Sequence, residues 1–271
     1  MLTKIEIQNS KTRCKKYRKR ILDISQTVLA LHLGGSFSSL EMVDYIYNFH
    51  IPKFKENKDA NIFIMSKGHS CMAQYVILED RGIIKKEEMD RYCKADGILG
   101  CHPDYGNPGI EASTGSLGHG LALAVGISHA NKLQGSNSKT FVVLSDGELQ
   151  EGSTWEALMM AANLELDNLI CFLDHNGSQS YGVTRETHPK FYPIGEKISA
   201  FNWECYEMDG HSIEEMDKKL SERKSKKPLF LIGNTIKGKS VSYMENKPVW
   251  HYRSPTTEEY QIALKEIEGA N

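Results

Sequence analysis

The chain has 271 residues, of which 40% are hydrophobic and 25% charged, enough to bury the core of one large α/β domain or two small ones. Its 33 basic and 35 acidic residues give a net charge of −2, which offers no bulk electrostatic argument for nucleic-acid binding. The six cysteines form no CxxC pair, and no apolar run approaches the ~18 residues of a membrane span, so we expect a cytoplasmic protein with no membrane partner.

The first third of the sequence predicts helices. An amphipathic segment at residues 18–34 is expected to end at Gly34 and Gly35, and a second helix is expected to open at Ser39. Two further helices are predicted at residues 72–79 and 85–92. Residues 96–120 then form a loop rich in Gly and Pro, and a loop of this length within a compact domain is usually functional.

From residue 121 onward the pattern alternates between helices and strands. Helices are predicted at residues 121–133, 153–163, 193–201, 212–223 and 257–267. Strands are predicted at residues 139–145, 168–174, 203–208 and 228–235. The strand runs lack strict polar alternation, which is typical of a sheet covered on both faces. We therefore predict an α/β fold, a parallel sheet with helices on both faces, in a single domain over residues 1–271.

Two of the predicted strands stop at a polar residue of metal-ligand type. Asp146 follows the first strand, and Asn176 follows the next one after a helix-length segment. Neighbouring parallel strands end at the same edge of a sheet, so the two side chains can converge. An Asp and an Asn oxygen suit Mg²⁺ or Ca²⁺ rather than zinc, and Gly147 lets an anion approach the backbone N–H groups. The pattern predicts a metal site that holds a diphosphate.

The wider pattern resembles a known family. The segment SDGELQEGSTWEA, followed about thirty residues later by LDHN, is similar to the thiamine-diphosphate signature of the transketolase family. Other stretches agree with that family in order: LHLGGSFSSLE, SKGHS, LGCHPD, EASTGSLGHGLALAVG, MDGHS, TIKGKS and WH. The resemblance covers nearly the whole chain and is closest to the stand-alone N-terminal subunits of split transketolases. It implies the thiamine-diphosphate-binding fold, with thiamine diphosphate and Mg²⁺ (or Ca²⁺) as cofactors.

The resemblance also implies roles for individual residues. The metal ligands would be Asp146, Asn176 and the backbone carbonyl of Ser178. The other cofactor contacts would be His69, Gly147 and the turn Gly115-Ser116-Leu117. The histidines facing the substrate would be His32, His102 and His251. Two acidic residues, Glu151 and Glu156, would lie at a subunit interface. The remaining histidines that we considered, His50, His129, His188 and His211, are interpreted as surface or core residues.

Six positions depart from the family pattern. Ser145 stands where the metal motif has its first Gly, and Ser178 and Ser180 stand where apolar residues are common. The other three are His119 for Gln, Cys101 for Gly beside His102, and Tyr252 for Gly. These changes cluster on the substrate side, so they bear on the substrate more than on the cofactor.

The resemblance implies a transketolase-like subunit that transfers a two-carbon ketol unit between sugars or sugar phosphates. About 36 residues follow Thr235, fewer than the ~50 of a usual domain, so we expect the second half of the enzyme to be a separate C-terminal subunit, with two copies of each. One alternative is ligation of a two-carbon unit onto a specialised sugar or natural-product precursor. Another is a non-catalytic binding module that kept the fold, which the intact Asp146 and Asn176 disfavour.

Overall fold

The computed structural model describes residues 1–51, 59–180 and 182–269. Its α-helices are α1 Lys4–Ser25, α2 Leu33–Phe49, α3 Met72–Asp80, α4 Lys86–Asp90, α5 Gly120–Leu133, α6 Gly152–Asn163, α7 Thr184–Thr187, α8 Ile194–Ala200, α9 Ile213–Ser221 and α10 Thr257–Gly269. Its strands are β1 Ile62–Met65, β2 Thr140–Ser145, β3 Leu169–His175, β4 Ser178–Gln179, β5 Gly182–Val183, β6 Glu204–Asp209 and β7 Leu229–Asn234. Short 3-10 turns include Gly68–Ser70, Glu148–Gln150 and Pro248–His251.

The main sheet is parallel and has the strand order β1-β2-β3-β7-β6. Alternate residues of its strands enter two different buried clusters: Phe141 and Val143 pack with α1, α2 and α3, whereas Val142 and Leu144 pack with α5 and α6. Side chains of a strand point alternately to opposite faces, so both faces of the sheet are buried. The predicted α/β fold, a parallel sheet with helices on both faces, is confirmed.

The segments predicted after residue 121 agree with the structure to within two residues at each end. The loop predicted at residues 96–120 is also found: neither helix nor strand occurs between α4 and α5. No helix in residues 1–51, 59–180 and 182–269 has the length and apolarity to cross a bilayer.

The prediction for the N-terminal helices was wrong in its boundaries. α1 starts at Lys4, behind a capping box of Thr3 and Glu6, and ends at Ser25 rather than at the glycines. Gly34 and Gly35 lie instead in the first turn of α2, which begins six residues before Ser39. Their role is close packing, because a Cβ on Gly34 would lie 2.8 Å from the carbonyl oxygen of Trp250 and one on Gly35 would lie 2.6 Å from Ser70 Oγ.

Candidate active site

A cavity of about 610 Å³ opens at the carboxyl end of the sheet, beside β2 and β3. The predicted residues that line it are His69, Gly115, Leu117, Gly147, Glu151, Asn176, Ser178 and His251. Asp146 is fully buried between the lining residues Ser145 and Gly147. Four other predicted residues are not part of this wall: Ser116 is exposed on its turn, Glu156 is exposed on α6, and His32 and His102 lie beside the cavity. The fold thus brings together residues that are far apart in the sequence.

Asp146 joins the ends of two neighbouring strands. Its Oδ1 accepts a hydrogen bond from the N–H of Gly147 at 3.0 Å, and its Oδ2 accepts one from the N–H of Gly177 at 2.8 Å. The loop carrying Asn176 therefore touches the carboxylate, as the strand order predicts. The amide of Asn176 is also held: Oδ1 accepts from the N–H of Ser178 at 3.1 Å, and Nδ2 donates to Asp174 at 3.1 Å.

The chemistry of this donor set fits a divalent cation. Burial, together with the nearby charge of Asp174, raises the pKa of Asp146 to about 7. A buried carboxylate with a raised pKa is stabilised in its ionised form by an added positive charge. Each carboxylate oxygen has two acceptor sites, so the backbone hydrogen bonds leave room for a metal. The residues present therefore fit a hard cation such as Mg²⁺.

Glycines let the loops around the cavity approach one another. A Cβ on Gly68 would lie 2.8 Å from the backbone nitrogen of Gly115, so the turn that carries His69 packs directly on residues 114–115. Gly115 has φ +149°, and a Cβ there would lie 2.8 Å from the ring of His102. Both positions require glycine for close packing, and Gly115 also for its backbone conformation.

Four histidines form a cluster beside the cavity. The ring of His32 lies 5.3 Å from that of His69, 6.2 Å from that of His102 and 5.3 Å from that of His251, measured between centroids. Burial, with the neighbouring histidines, lowers the pKa of His32 to about 3, and burial, with the charge of Lys237, lowers that of His251 to about 4. Burial also lowers the pKa of His69. These three rings are therefore neutral at neutral pH, and each offers one donor and one acceptor.

The sequence did not predict the charged groups beneath the cavity. Lys67 and Asp174 form an ion pair with both side chains fully buried, and Lys67 also donates to the carbonyl of Gly35 at 3.1 Å. Although burial opposes it, the charge of Lys67 lowers the pKa of Asp174. Lys67 and Asp174 stand in the quoted stretches SKGHS and LDHN, but nothing local showed that they pair across 107 positions.

A second buried lysine contacts the histidine cluster. Lys237 is 2% exposed, and its Nζ lies 3.2 Å from Nδ1 of His251. Burial and the charge of Lys67 lower the pKa of Lys237 to about 8. Because an ammonium group is only a donor, Nδ1 of His251 accepts and Nε2 carries the proton when the ring is neutral. The stretch TIKGKS contained this lysine without indicating its partner.

The six departures from the family pattern differ in position. Ser145, Ser178 and Ser180 line the cavity. Cys101 Sγ lies 3.2 Å from Nδ1 of His102. The ring of Tyr252 lies 4.4 Å from that of His32 and is 46% exposed. His119 is exposed at the start of α5.

Two of the histidines set aside as surface or core residues have clear structural contacts. His50 stacks on Phe141, with ring centroids 5.0 Å apart. Nδ1 of His211 lies 3.0 Å from Oε2 of Glu41, and Nε2 of His211 accepts a hydrogen bond from the N–H of Ile236 at 2.9 Å. These contacts agree with the interpretation as packing residues.

Comparison with known proteins identifies the family. The model of the transketolase thiamine diphosphate binding domain matches residues 10–270. An apulose-4-phosphate transketolase subunit of Phocaeicola vulgatus is 38% identical over 270 residues, which are 97% of this chain and 95% of that protein. The 6-deoxy-6-sulfo-D-fructose transketolase subunit SqwG of Clostridium sp. is 34% identical over 88% of each chain. The structure of transketolase from Leishmania mexicana matches with a TM-score of 0.87 and 25% identity over 96% of this chain, which spans only 41% of that one. The chain belongs to the transketolase family and corresponds to its thiamine diphosphate binding domain.

Proposed function

We propose that the chain is the thiamine-diphosphate-binding subunit of a split transketolase, which transfers a two-carbon ketol unit between sugar or sugar-phosphate substrates. The observation that carries the proposal is the convergence of Asn176, His69 and His251 on one cavity at the carboxyl ends of β2 and β3, where the buried Asp146 binds the loop that carries Asn176. Two relatives, 38% and 34% identical to this chain, are named transketolase subunits, one for apulose-4-phosphate and one for a sulfonated fructose. Their names support a substrate of the sugar class.

In this proposal the strand ends hold the metal and the diphosphate. Asp146, the side-chain oxygen of Asn176 and the carbonyl of Ser178 would bind Mg²⁺. His69 and the N–H of Gly147 would contact the diphosphate, while Gly115, Ser116 and Leu117 would lie against the rest of the cofactor. Bound thiamine diphosphate supplies the electron sink for cleavage of a carbon–carbon bond. The part of this chain is to position it and to exclude water from one side.

Three histidines of the cluster, His32, His102 and His251, would bind and orient the substrate. His32 and His251 are neutral at neutral pH because burial lowers their pKa values. Each of these rings can donate to a carbonyl or hydroxyl oxygen and accept from a hydroxyl group, as sugar substrates require. Lys237 donates a hydrogen bond to Nδ1 of His251, so the Nε2–H of His251 is the group that can donate to a substrate oxygen. His102 completes the set, with its ring 6.2 Å from that of His32.

We further propose a separate C-terminal subunit, two copies of each chain, and a cytoplasmic location. This chain matches two relatives over 95% and 88% of their own length, and both are named as transketolase subunits, which supports a partner subunit. Glu151 borders the cavity, and Glu156 lies on α6 beside Met159 and Met160, which are 47% and 49% exposed. Exposed apolar side chains on α6 favour a contact between chains at this helix.

One alternative has support in the cavity itself. Ligation of a two-carbon unit onto a specialised sugar or natural-product precursor would use the same cofactor with a different acceptor. The polar Ser180 in the cavity wall and the ring of Tyr252 over His32 both change the surface that an acceptor would meet. A non-catalytic role is disfavoured because Asp146 and Asn176 keep their positions at the strand ends.

The test is reconstitution with each candidate C-terminal subunit. The purified chain, the candidate partner and their mixture are assayed with thiamine diphosphate, Mg²⁺, a ketose donor and a panel of aldehyde acceptors, with products identified by mass spectrometry. We expect ketol transfer only in the mixture. Turnover by this chain alone would contradict the split arrangement, and a mixture that forms a complex without transfer to any acceptor would contradict the proposed function.

A further inference from the structure

His102 is held in a narrow setting within the loop between α4 and α5. Its ring packs against Gly115, where a Cβ would lie 2.8 Å from Cδ2 and 2.9 Å from Cγ. Its backbone carbonyl accepts a hydrogen bond from the hydroxyl of Tyr75 at 2.9 Å. The His102 ring therefore packs on the backbone of Gly115, where no other residue would fit. The main chain of His102 is held by a hydrogen bond to α3.

The thiol of Cys101 contacts the same ring. Sγ lies 3.2 Å from Nδ1 of His102, within hydrogen-bond distance for sulfur. Cys101 is itself positioned, because its carbonyl accepts from the thiol of the buried Cys71 at 3.3 Å. A thiol is a weak donor and a weak acceptor, whereas the unprotonated nitrogen of imidazole is a good acceptor. The favoured arrangement is S–H donating to Nδ1.

We propose that Cys101 is a positioning residue that donates to Nδ1 of His102 and thereby holds the imidazole as the Nε2–H tautomer. A neutral imidazole has one N–H, so a donor at Nδ1 assigns the proton to Nε2. His251 has the same arrangement with a different donor, since Nζ of Lys237 lies 3.2 Å from its Nδ1. Two rings near His32 then present an N–H to a sugar oxygen. The functional consequence rests on the proposed role of His102 at the substrate.

The tautomer can be measured on the chain alone. Two-bond ¹H–¹⁵N correlation spectra of histidine-labelled protein distinguish Nε2–H from Nδ1–H rings, and His102→Gln assigns the signal. We expect the Nε2–H form in the wild type and in Cys101→Ser, whose hydroxyl also donates. We expect a mixture of both forms in Cys101→Ala. Cys205→Ser, another half-buried cysteine on β6, is the matched control and should leave the signal unchanged.

A wild-type Nδ1–H ring, or an unchanged tautomer in Cys101→Ala, would overturn the proposal. The wild-type measurement decides this even if the alanine variant fails to fold. In the reconstituted enzyme, Cys101→Ala should lower kcat/KM by about five- to tenfold, as for loss of one hydrogen bond, while Cys101→Ser keeps most of the activity. A tautomer change without a change in kcat/KM would contradict the positioning role. If the wild type transfers no ketol unit, the proposed function fails while the tautomer result stands.

Discussion

The candidate active site has two parts that are built in different ways. The strand-end region comprises Asp146, Gly147, Asn176 and Ser178, which directly follow the paired strands β2 and β3. The histidine region comprises His32, His69, His102 and His251, which come from four separate segments and meet through ring contacts and close packing at glycines. A sheet fixes the first region, and tertiary contacts fix the second. Changes in the first should therefore affect cofactor binding. Changes at His32, His102 and His251 should affect substrate preference, whereas His69, which is proposed to contact the diphosphate, should also affect cofactor binding.

The largest effect is expected at the buried Lys67–Asp174 ion pair, which supports both regions. Lys67→Met leaves the charge of Asp174 buried without its cation, and breaking such a pair costs about 3–5 kcal/mol. Urea unfolding of the chain should show this loss of stability, with partial recovery in Lys67→Met/Asp174→Asn. The control is Lys132→Met, which breaks an exposed pair with Asp167 and should cost about 1 kcal/mol or less. Equal losses in the two lysine variants would contradict a structural role for the buried pair.

The next effect separates the regions at the cofactor. In the reconstituted enzyme, Asp146→Ala should weaken thiamine diphosphate binding in Mg²⁺ by more than about 100-fold. Loss of a residue that only hydrogen-bonds a metal ligand already lowers metal affinity by about 10- to 100-fold, and Asp146 is proposed to be a ligand itself. Calorimetry measures the affinity and its metal dependence. Asp209→Ala removes an aspartate from the carboxyl end of β6 in the same sheet and should change little. Unchanged Mg²⁺ dependence in Asp146→Ala would show that the metal binds elsewhere.

A smaller effect is expected in the histidine region. The ring of Tyr252 covers His32, so Tyr252→Ala should widen the approach to the cluster. We expect kcat/KM for long acceptors to rise about fivefold relative to short ones, with thiamine diphosphate affinity unchanged. Val249→Ala, at an exposed residue of the same segment, is the control. An unchanged acceptor ratio, or a loss of cofactor affinity, would contradict the division between the two regions.

The smallest effect concerns pH and a histidine outside both regions. Burial and the charge of Lys139 lower the pKa of His50 to about 4, although the charge of Asp217 opposes this shift. Because the folded state favours the neutral ring, stability from His50 is lost as pH falls from about 6.5 towards 4. His50→Phe should reduce the fall in Tm between pH 7 and 5 by about 2–4 °C. An identical pH dependence in wild type and variant would contradict the lowered pKa.

The two regions also differ in how far the sequence predicts them. The positions of Asp146 and Asn176 follow from the alternation of strands and helices, since neighbouring parallel strands must end together. The histidines were placed only by resemblance to the family, because no local pattern brings His32 and His251 together. The pairing of Lys67 with Asp174 was not predicted for the same reason. Gly34 and Gly35 were misread because glycine also marks close packing, which depends on the tertiary fold.

The most direct test of this account is the position of the metal in the assembled enzyme. Crystals of the chain with its partner, thiamine diphosphate and Mn²⁺ in place of Mg²⁺ would locate the cation by anomalous scattering. The account predicts a peak bound by the carboxylate of Asp146, the side-chain oxygen of Asn176 and the carbonyl of Ser178. A peak at any other set of residues, with thiamine diphosphate bound, would contradict the assignment of the strand-end region as the cofactor site.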